Sequence, residues 1–310
     1  MNGYLLFLLH LNSKKNILIE GTSMKIKGVF LPIITPFYNN EIDFSSYKKL
    51  INLYIKKGIT GIFPNGTTGE SPTINNNEFE KLLEKTIEFT RDKIKIFYGV
   101  GGNHTEQIVK KLKIIDNCKV DGILSVCPYY NRPSQEGIYN HFLKISESTD
   151  LNIVIYNIPY RTGINIQNET LFKLAELKNI IGIKDSCGDY KQSMDLILNS
   201  PKDFSVLTGE DIFYFSNLSL GGGGGILASS HLYTEDFISI FNHFKNNDYR
   251  PAIEIWKKLS YLIPLLFEEP NPAPIKYLLK KQNLIKSDEV RLPLTKISKN
   301  LINKLSKFKF

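Results

Sequence analysis

The chain has 310 residues, of which 42% are hydrophobic, and carries a formal net charge of +8. That is enough apolar material for one large core or two ordinary ones, which excludes a disordered chain. Of its 39 basic residues 34 are Lys, scattered along the chain and densest between Lys296 and Lys309, with no Arg-rich patch interleaved with aromatics, so the charge does not point to a nucleic acid.

In chain order, the first feature is the apolar run "YLLFLLHL" from Tyr4 to Leu11. It is too short to span a bilayer, and Lys14 and Lys15 follow it where a secretory signal would have a small-residue cleavage site. Residues 1–23 read as an extension that is disordered or not translated, with a short transit-like segment as the alternative. From Met24, opening "MKIKGVFLPIITPF", β-rich apolar runs alternate with amphipathic stretches. The runs are 28–35, 60–66, 94–101, 121–128, 152–157, 180–185, 204–209 and 222–229. Between them lie patterns such as "SSYKKLINLYIKKG", in which Leu50 and Tyr54, and Ile51 and Ile55, are spaced i, i+4.

Strand alternating with helix predicts a parallel sheet. Eight units in about 220 residues fit a closed (β/α)₈ TIM barrel, here residues 24–247, better than an open doubly wound sheet. An open sheet would carry G-x-G-x-x-G after its first strand, whereas that loop reads "TPFYNN". Residues 248–310 show helical periodicity without a further strand and read as a small C-terminal helical appendage.

Barrel active sites lie at the C-terminal strand ends. Thr35, Thr67, Thr68, Tyr129, Tyr130, Tyr156, Lys184 and Gly209 stand there. Lys184 ends the buried run "IIGIKD", where a plain reading is a solvated, snorkelling side chain. At the mouth of an apolar barrel, however, desolvation would lower its pKa and make it a nucleophile able to form an imine with a ketone or aldehyde. The imine acidifies the neighbouring carbon, and Tyr156, Tyr130 and Thr68 could relay the protons.

"GTTGES" at 66–71 could grip a carboxylate through N–H and O–H donors, or be an ordinary helix-capping turn. The glycine run 221–225 is either a linker or, because it leads into "ILAS", a strand whose backbone closely approaches a ligand. Arg161 stands out in a Lys-rich chain, because only Arg offers a planar fork for bidentate carboxylate binding; Arg132 invites the same argument. Cys118, Cys127 and Cys187 have no paired spacing and the five histidines no metal-ligand spacing, so no metal and a reducing cytoplasm are expected.

"GTTGES", "PYYNRPSQEG", "YNIPYRTG", "IIGIKDSCG" and "EPNPAPIK", in this order over about residues 24–300, resemble the 4-hydroxy-tetrahydrodipicolinate synthase (dihydrodipicolinate synthase) family of pyruvate-dependent class I lyases and aldolases. The resemblance implies condensation of pyruvate with L-aspartate 4-semialdehyde, the committed step toward diaminopimelate and lysine. It implies a Lys184 imine with pyruvate and no external cofactor, Tyr156 as general acid/base, and Thr68 and Tyr130 completing the relay. Thr67 and Thr68 would hold the pyruvate carboxylate and Arg161 that of the semialdehyde, while the backbone at Gly209 and Ile226 would line the pocket. Tyr129 would reach across a dimer interface, with Arg132 in support, within a cytoplasmic homotetramer built as a dimer of dimers; no nucleic acid or membrane partner is implied.

"LASSH" at 227–231 departs from the family's more usual Asn after the eighth strand and puts contacts there in doubt. Sister enzymes such as N-acetylneuraminate lyase and the 2-keto-3-deoxy sugar acid aldolases, and a non-catalytic ligand-binding relative, are the alternatives. Arg161 favours a small carboxylated aldehyde over a polyol, and the joint presence of Lys184, Tyr156, Thr68 and Tyr130 favours an enzyme. Lysine-sensitive relatives bind lysine through a serine, two histidines, an asparagine, a glutamate and a tyrosine. Here Ser71, Asn103 and Tyr129 match, the histidine positions fall on Asn76 and Phe79, and the glutamate falls on Gln107, beside Glu106. Weak or absent lysine inhibition is expected.

Overall fold

The computed structural model describes residues 25–308; the expectation for residues 1–23 lies outside them. Eight parallel strands close into a barrel: β1 (Gly28–Leu31), β4 (Gly61–Ile62), β5 (Lys95–Gly99), β6 (Gly122–Val126), β7 (Asn152–Asn157), β8 (Ile180–Asp185), β9 (Ser205–Thr208) and β10 (Gly224–Ile226). Each pairs with its chain neighbour, and β10 closes the ring on β1, so the expected (β/α)₈ architecture is present. A two-stranded hairpin, β2 (Phe37–Tyr38) with β3 (Glu41–Ile42), occupies the loop after β1 and went unmarked in the sequence reading.

The helices around the barrel are α1 (Phe44–Lys56), α2 (Asn76–Thr90), α3 (Thr105–Ile115), α4 (Gln135–Ser146), α5 (Pro159–Thr162), α6 (Asn168–Leu174), α7 (Tyr190–Asn199), α8 (Tyr214–Ser219) and α9 (Thr234–Lys245). Their starts are set by local chemistry. The Asp43 side chain accepts from the N–H groups of Ser45 and Ser46 at the start of α1, and Asn75 with Glu78 forms a reciprocal capping box on α2.

Side chains alternate along each strand between two cores. Phe30, Phe63, Phe97, Val154, Tyr156, Ile181, Leu207 and Ile226 point into the barrel, where Phe63 stacks on Phe97 and Phe30 meets both edge-on. The other face packs against the helices, which is why β8 is buried along its whole length, Lys184 included.

The last two glycines of the run 221–225, Gly224 and Gly225, open strand β10. A Cβ at Gly224, whose φ is 124°, would collide with the carbonyl oxygen of Gly28. The close approach there is between β10 and β1, which closes the barrel.

The C-terminal helices α10 (Tyr249–Leu266), α11 (Ala273–Lys281) and α12 (Lys299–Leu305) are present, but they are not set apart from the barrel. Leu259, Ile263, Ile275, Leu279, Leu301 and Leu305 share one buried cluster with Val29 of β1 and Leu50 and Tyr54 of α1. The segment between α10 and α11 consequently comes to the barrel mouth.

Candidate active site

Tyr156 and Lys184 are paired in register on β7 and β8, near the C-terminal ends of both strands. Their side chains point into the barrel mouth, and Lys184 Nζ lies 4.1 Å from the centroid of the Tyr156 ring. Lys184 is 5% exposed and Tyr156 4%. Burial lowers the lysine pKa to about 8, against the attraction of Asp211 and Glu210 and with help from Arg161. Burial pushes the Tyr156 phenol well above its ordinary range, while Arg161 and the nearby Ser186 and Thr67 hydroxyls draw it back. A partly neutral amine therefore faces a protonated phenol, a nucleophile beside a proton donor.

Thr67, Thr68, Tyr156, Arg161, Lys184, Gly209 and Ile226, all singled out in the sequence, line one cavity together with Asp211 and Asn271. Arg161 sits on the short helix α5, whose N-terminal Pro159 follows β7 by two residues, and its guanidinium lies over the Tyr160 ring at 5.4 Å. The two threonines follow β4. Their loop is pinned by Glu70 N–H donating to Thr67 O (3.0 Å), Ser71 N–H to Gly66 O (3.2 Å) and the Thr35 hydroxyl to Gly69 O (2.8 Å). "GTTGES" is a turn that holds the hydroxyls, but it does not cap the following helix α2, whose cap is Asn75.

The two threonine hydroxyls have different surroundings. The Thr68 hydroxyl, expected in the relay, accepts from Asn271 Nδ2 at 2.8 Å, and the threonine hydroxyl near Tyr156 is that of Thr67. Adjacent residues in a turn project in different directions, which sequence order does not reveal.

Tyr130 does not join the cavity within one chain. It is 89% exposed with φ of 73°, and its N–H donates to Thr162 O at 3.3 Å. Arg132, also exposed, has φ of 45°. Tyr129 lies between these positions and the site: it lines a neighbouring cavity of about 250 Å³ with Thr67 and Tyr156.

Glu210, Asp211, Ser186 and Asn271 escaped the sequence reading. Burial raises the Glu210 carboxyl to about 7 and Asp211 in the same direction, so negative charge beside Lys184 is partly neutralised. The "TGED" end of β9 was a usable signal, since acids just past a barrel strand face its mouth. Asn271 lies within the "EPNPAPIK" motif, but its partner was not legible there, because the threonine that it contacts is 203 positions away. Asp211 also accepts from the N–H groups of Ala228 (3.2 Å) and Ser229 (2.5 Å), so "LASSH" is held through its backbone despite its departure from the family pattern. His231 in that segment accepts from Ile34 N–H at 3.1 Å and serves the fold.

Among the described residues no group of three His, Cys, Asp or Glu side chains is placed to hold a metal, and no helix is long and apolar enough to cross a membrane.

The chain matches the Dihydrodipicolinate synthetase family over residues 25–308. It is 57% identical over 285 residues to 4-hydroxy-tetrahydrodipicolinate synthase 2 of Clostridium acetobutylicum, covering 92% of this chain and 100% of that one. It is 39% identical to the 4-hydroxy-tetrahydrodipicolinate synthase of Cytophaga hutchinsonii, covering 90% and 94%. The solved structure of the 4-hydroxy-tetrahydrodipicolinate synthase from Methylacidiphilum fumariolicum SolV superposes with a TM-score of 0.89 at 37% identity, covering 91% of this chain and 94% of that one. With the five ordered motifs now found around one barrel mouth, the chain belongs to the dihydrodipicolinate synthase family.

Proposed function

We propose that this chain is a lyase that condenses pyruvate with L-aspartate 4-semialdehyde to 4-hydroxy-tetrahydrodipicolinate, releasing one water, on the route to diaminopimelate and lysine. The observation that carries the chemistry is the buried Lys184 amine, with its pKa lowered to about 8, against the Tyr156 ring.

Pyruvate enters with its carboxylate on the donors of the Thr67–Thr68 turn. Neutral Lys184 attacks C2, Tyr156 protonates the developing alkoxide, and loss of water leaves the imine. The imine nitrogen draws electrons from C3, which gives up a proton to the Tyr156 phenolate and becomes the enamine carbon, so that the phenol is restored. That carbon attacks the aldehyde of the second substrate, whose carboxylate pairs with the Arg161 fork, and Tyr156 supplies the proton to the new hydroxyl. The amino group of the bound adduct then attacks C2, displaces Lys184 as the free amine and closes the ring. No external cofactor takes part, because the lysine imine is the electron sink.

Tyr130, outward-facing and held at positive φ, fits a residue completed by a partner subunit. We place the enzyme as a cytoplasmic homotetramer in which Tyr130 extends the relay and Tyr129 and Arg132 support that contact. Borohydride reduction with pyruvate should add a mass label at Lys184 in the native protein and none in Lys184→Ala, and a coupled assay should detect turnover with the semialdehyde. A label on another lysine would overturn the assignment. Labelling without turnover on the semialdehyde would favour a sister aldolase.

A further inference from the structure

Behind the threonine turn lies a buried ion pair that the mechanism does not use. The Glu70 carboxylate and the Lys276 ammonium are both wholly buried and in contact. Glu70 immediately follows the Thr67–Thr68–Gly69 stretch and is held in the left-handed region at φ 56°, a conformation that a non-glycine residue keeps only when its surroundings enforce it. Its own loop holds the Glu70 backbone, and the partners of its carboxylate come from the C-terminal segment. One Glu70 oxygen accepts from Lys276 Nζ and the other from Arg291 N–H at 2.9 Å. Lys276 Nζ also donates to Glu289 O at 2.9 Å and lies over the Phe37 ring at 4.2 Å.

Such a pair is a poor device for stability, because removing two charges from water consumes most of what their attraction returns, and an apolar pair of similar volume often serves as well. What it does supply is a fixed position. The Glu70 N–H holds the Thr67 carbonyl, so the place of the carboxylate sets the Thr67 backbone. The second threonine is set from the same segment, since Asn271 Nδ2 donates to the Thr68 hydroxyl at 2.8 Å. That bond fills an acceptor position on the hydroxyl oxygen and leaves the Thr68 O–H free to act as a donor.

We propose that Glu70, Lys276 and Asn271 are positioning residues: the C-terminal segment reaches back through them to aim the two threonines at the substrate carboxylate. The inference rests on the reading of this turn as the pyruvate carboxylate site. It makes the C-terminal segment part of the substrate site, although no residue of the ion pair touches substrate.

The test compares the native protein with Glu70→Gln, Lys276→Met, the double variant Glu70→Gln/Lys276→Met, and Asn271→Ala. The double variant leaves no unpaired buried charge, and Asn271→Ala leaves the ion pair intact, so the set does not depend on either single charge variant folding. Two readouts are taken. Hydrogen exchange of the peptide spanning residues 64–73, without substrate, reports how firmly the turn is held. Pyruvate concentration dependence of borohydride labelling and of turnover reports its use.

The expected result is faster exchange confined to that peptide in the double variant and in Asn271→Ala. The half-saturating pyruvate concentration should rise about tenfold or more with a smaller fall in the saturated rate, as displaced binding groups produce. Native exchange in the turn together with native pyruvate dependence would overturn the proposal, as would a uniform rise in exchange across the barrel strands, which marks a merely structural pair. If the native protein took no label from pyruvate, the functional reading would fall, and the exchange measurement would still decide whether these residues hold the turn.

Discussion

Gly209 and Lys184 fit together only because Gly209 has no side chain. A Cβ built on Gly209 would lie 2.7 Å from Lys184 Cε and 2.8 Å from its Cγ, and would also strike the Ser186 hydroxyl. Gly209 N–H donates to Asp185 O at 2.7 Å, so the backbone has little freedom to retreat.

Gly209→Ala is therefore expected to displace the lysine stem rather than β9. Overpacking of this kind costs about 1–3 kcal/mol of stability. Misplacing the nucleophile by about 1 Å should lower the rate of borohydride labelling by on the order of a hundredfold. Thermal unfolding measured alongside would separate the two effects, and a folded variant labelled at the native rate would show that Lys184 has another path to the substrate.

Labelling should depend on pH in one direction. Only the neutral amine attacks, and with a pKa of about 8 the neutral fraction grows as pH rises. Well below that value each pH unit should raise the initial labelling rate about tenfold, and above it the rate should level off. A lysine with its ordinary pKa would instead keep climbing to about pH 10, a profile that would contradict the burial of Lys184.

Arg161→Lys keeps the charge at the mouth and removes the two-pronged bond. Loss of a charge-assisted hydrogen bond is worth about 1.5–3 kcal/mol, or about ten- to a hundredfold. The loss should appear in kcat/KM for the semialdehyde and hardly in pyruvate labelling. Equal losses in both would assign Arg161 to the support of α5.

Feedback by lysine should be weak. Ser71, Phe79 and Tyr129 line one cavity with Lys111, whose ammonium already lies 5.3 Å from the Phe79 ring. With Gln107 where lysine-sensitive relatives have a glutamate, a lysine ligand loses a charge-assisted partner, and its affinity should drop at least about tenfold. Half-inhibition at submillimolar lysine in a titration would contradict this and would point to Glu106 as the compensating anion.

The sequence by itself determined the barrel, because alternation of strand and helix leaves few ways to bury both faces of a parallel sheet. It also placed Lys184 and Tyr156, each the visible end of an apolar run, and the motifs that surround them. Strand limits were less legible: the run 60–66 yields only the two-residue strand Gly61–Ile62, because the residues after it leave the sheet to build the threonine turn. Which threonine faces Tyr156, why Gly224 must be glycine, and which groups Asn271 and Lys276 of the "EPNPAPIK" motif meet were decided by tertiary structure alone. Each depends on contacts between segments far apart in the chain, with Lys276 and Glu70 separated by 206 positions. A period of two or of 3.6 reports which face of an element is buried, but not what a distant segment brings to meet it.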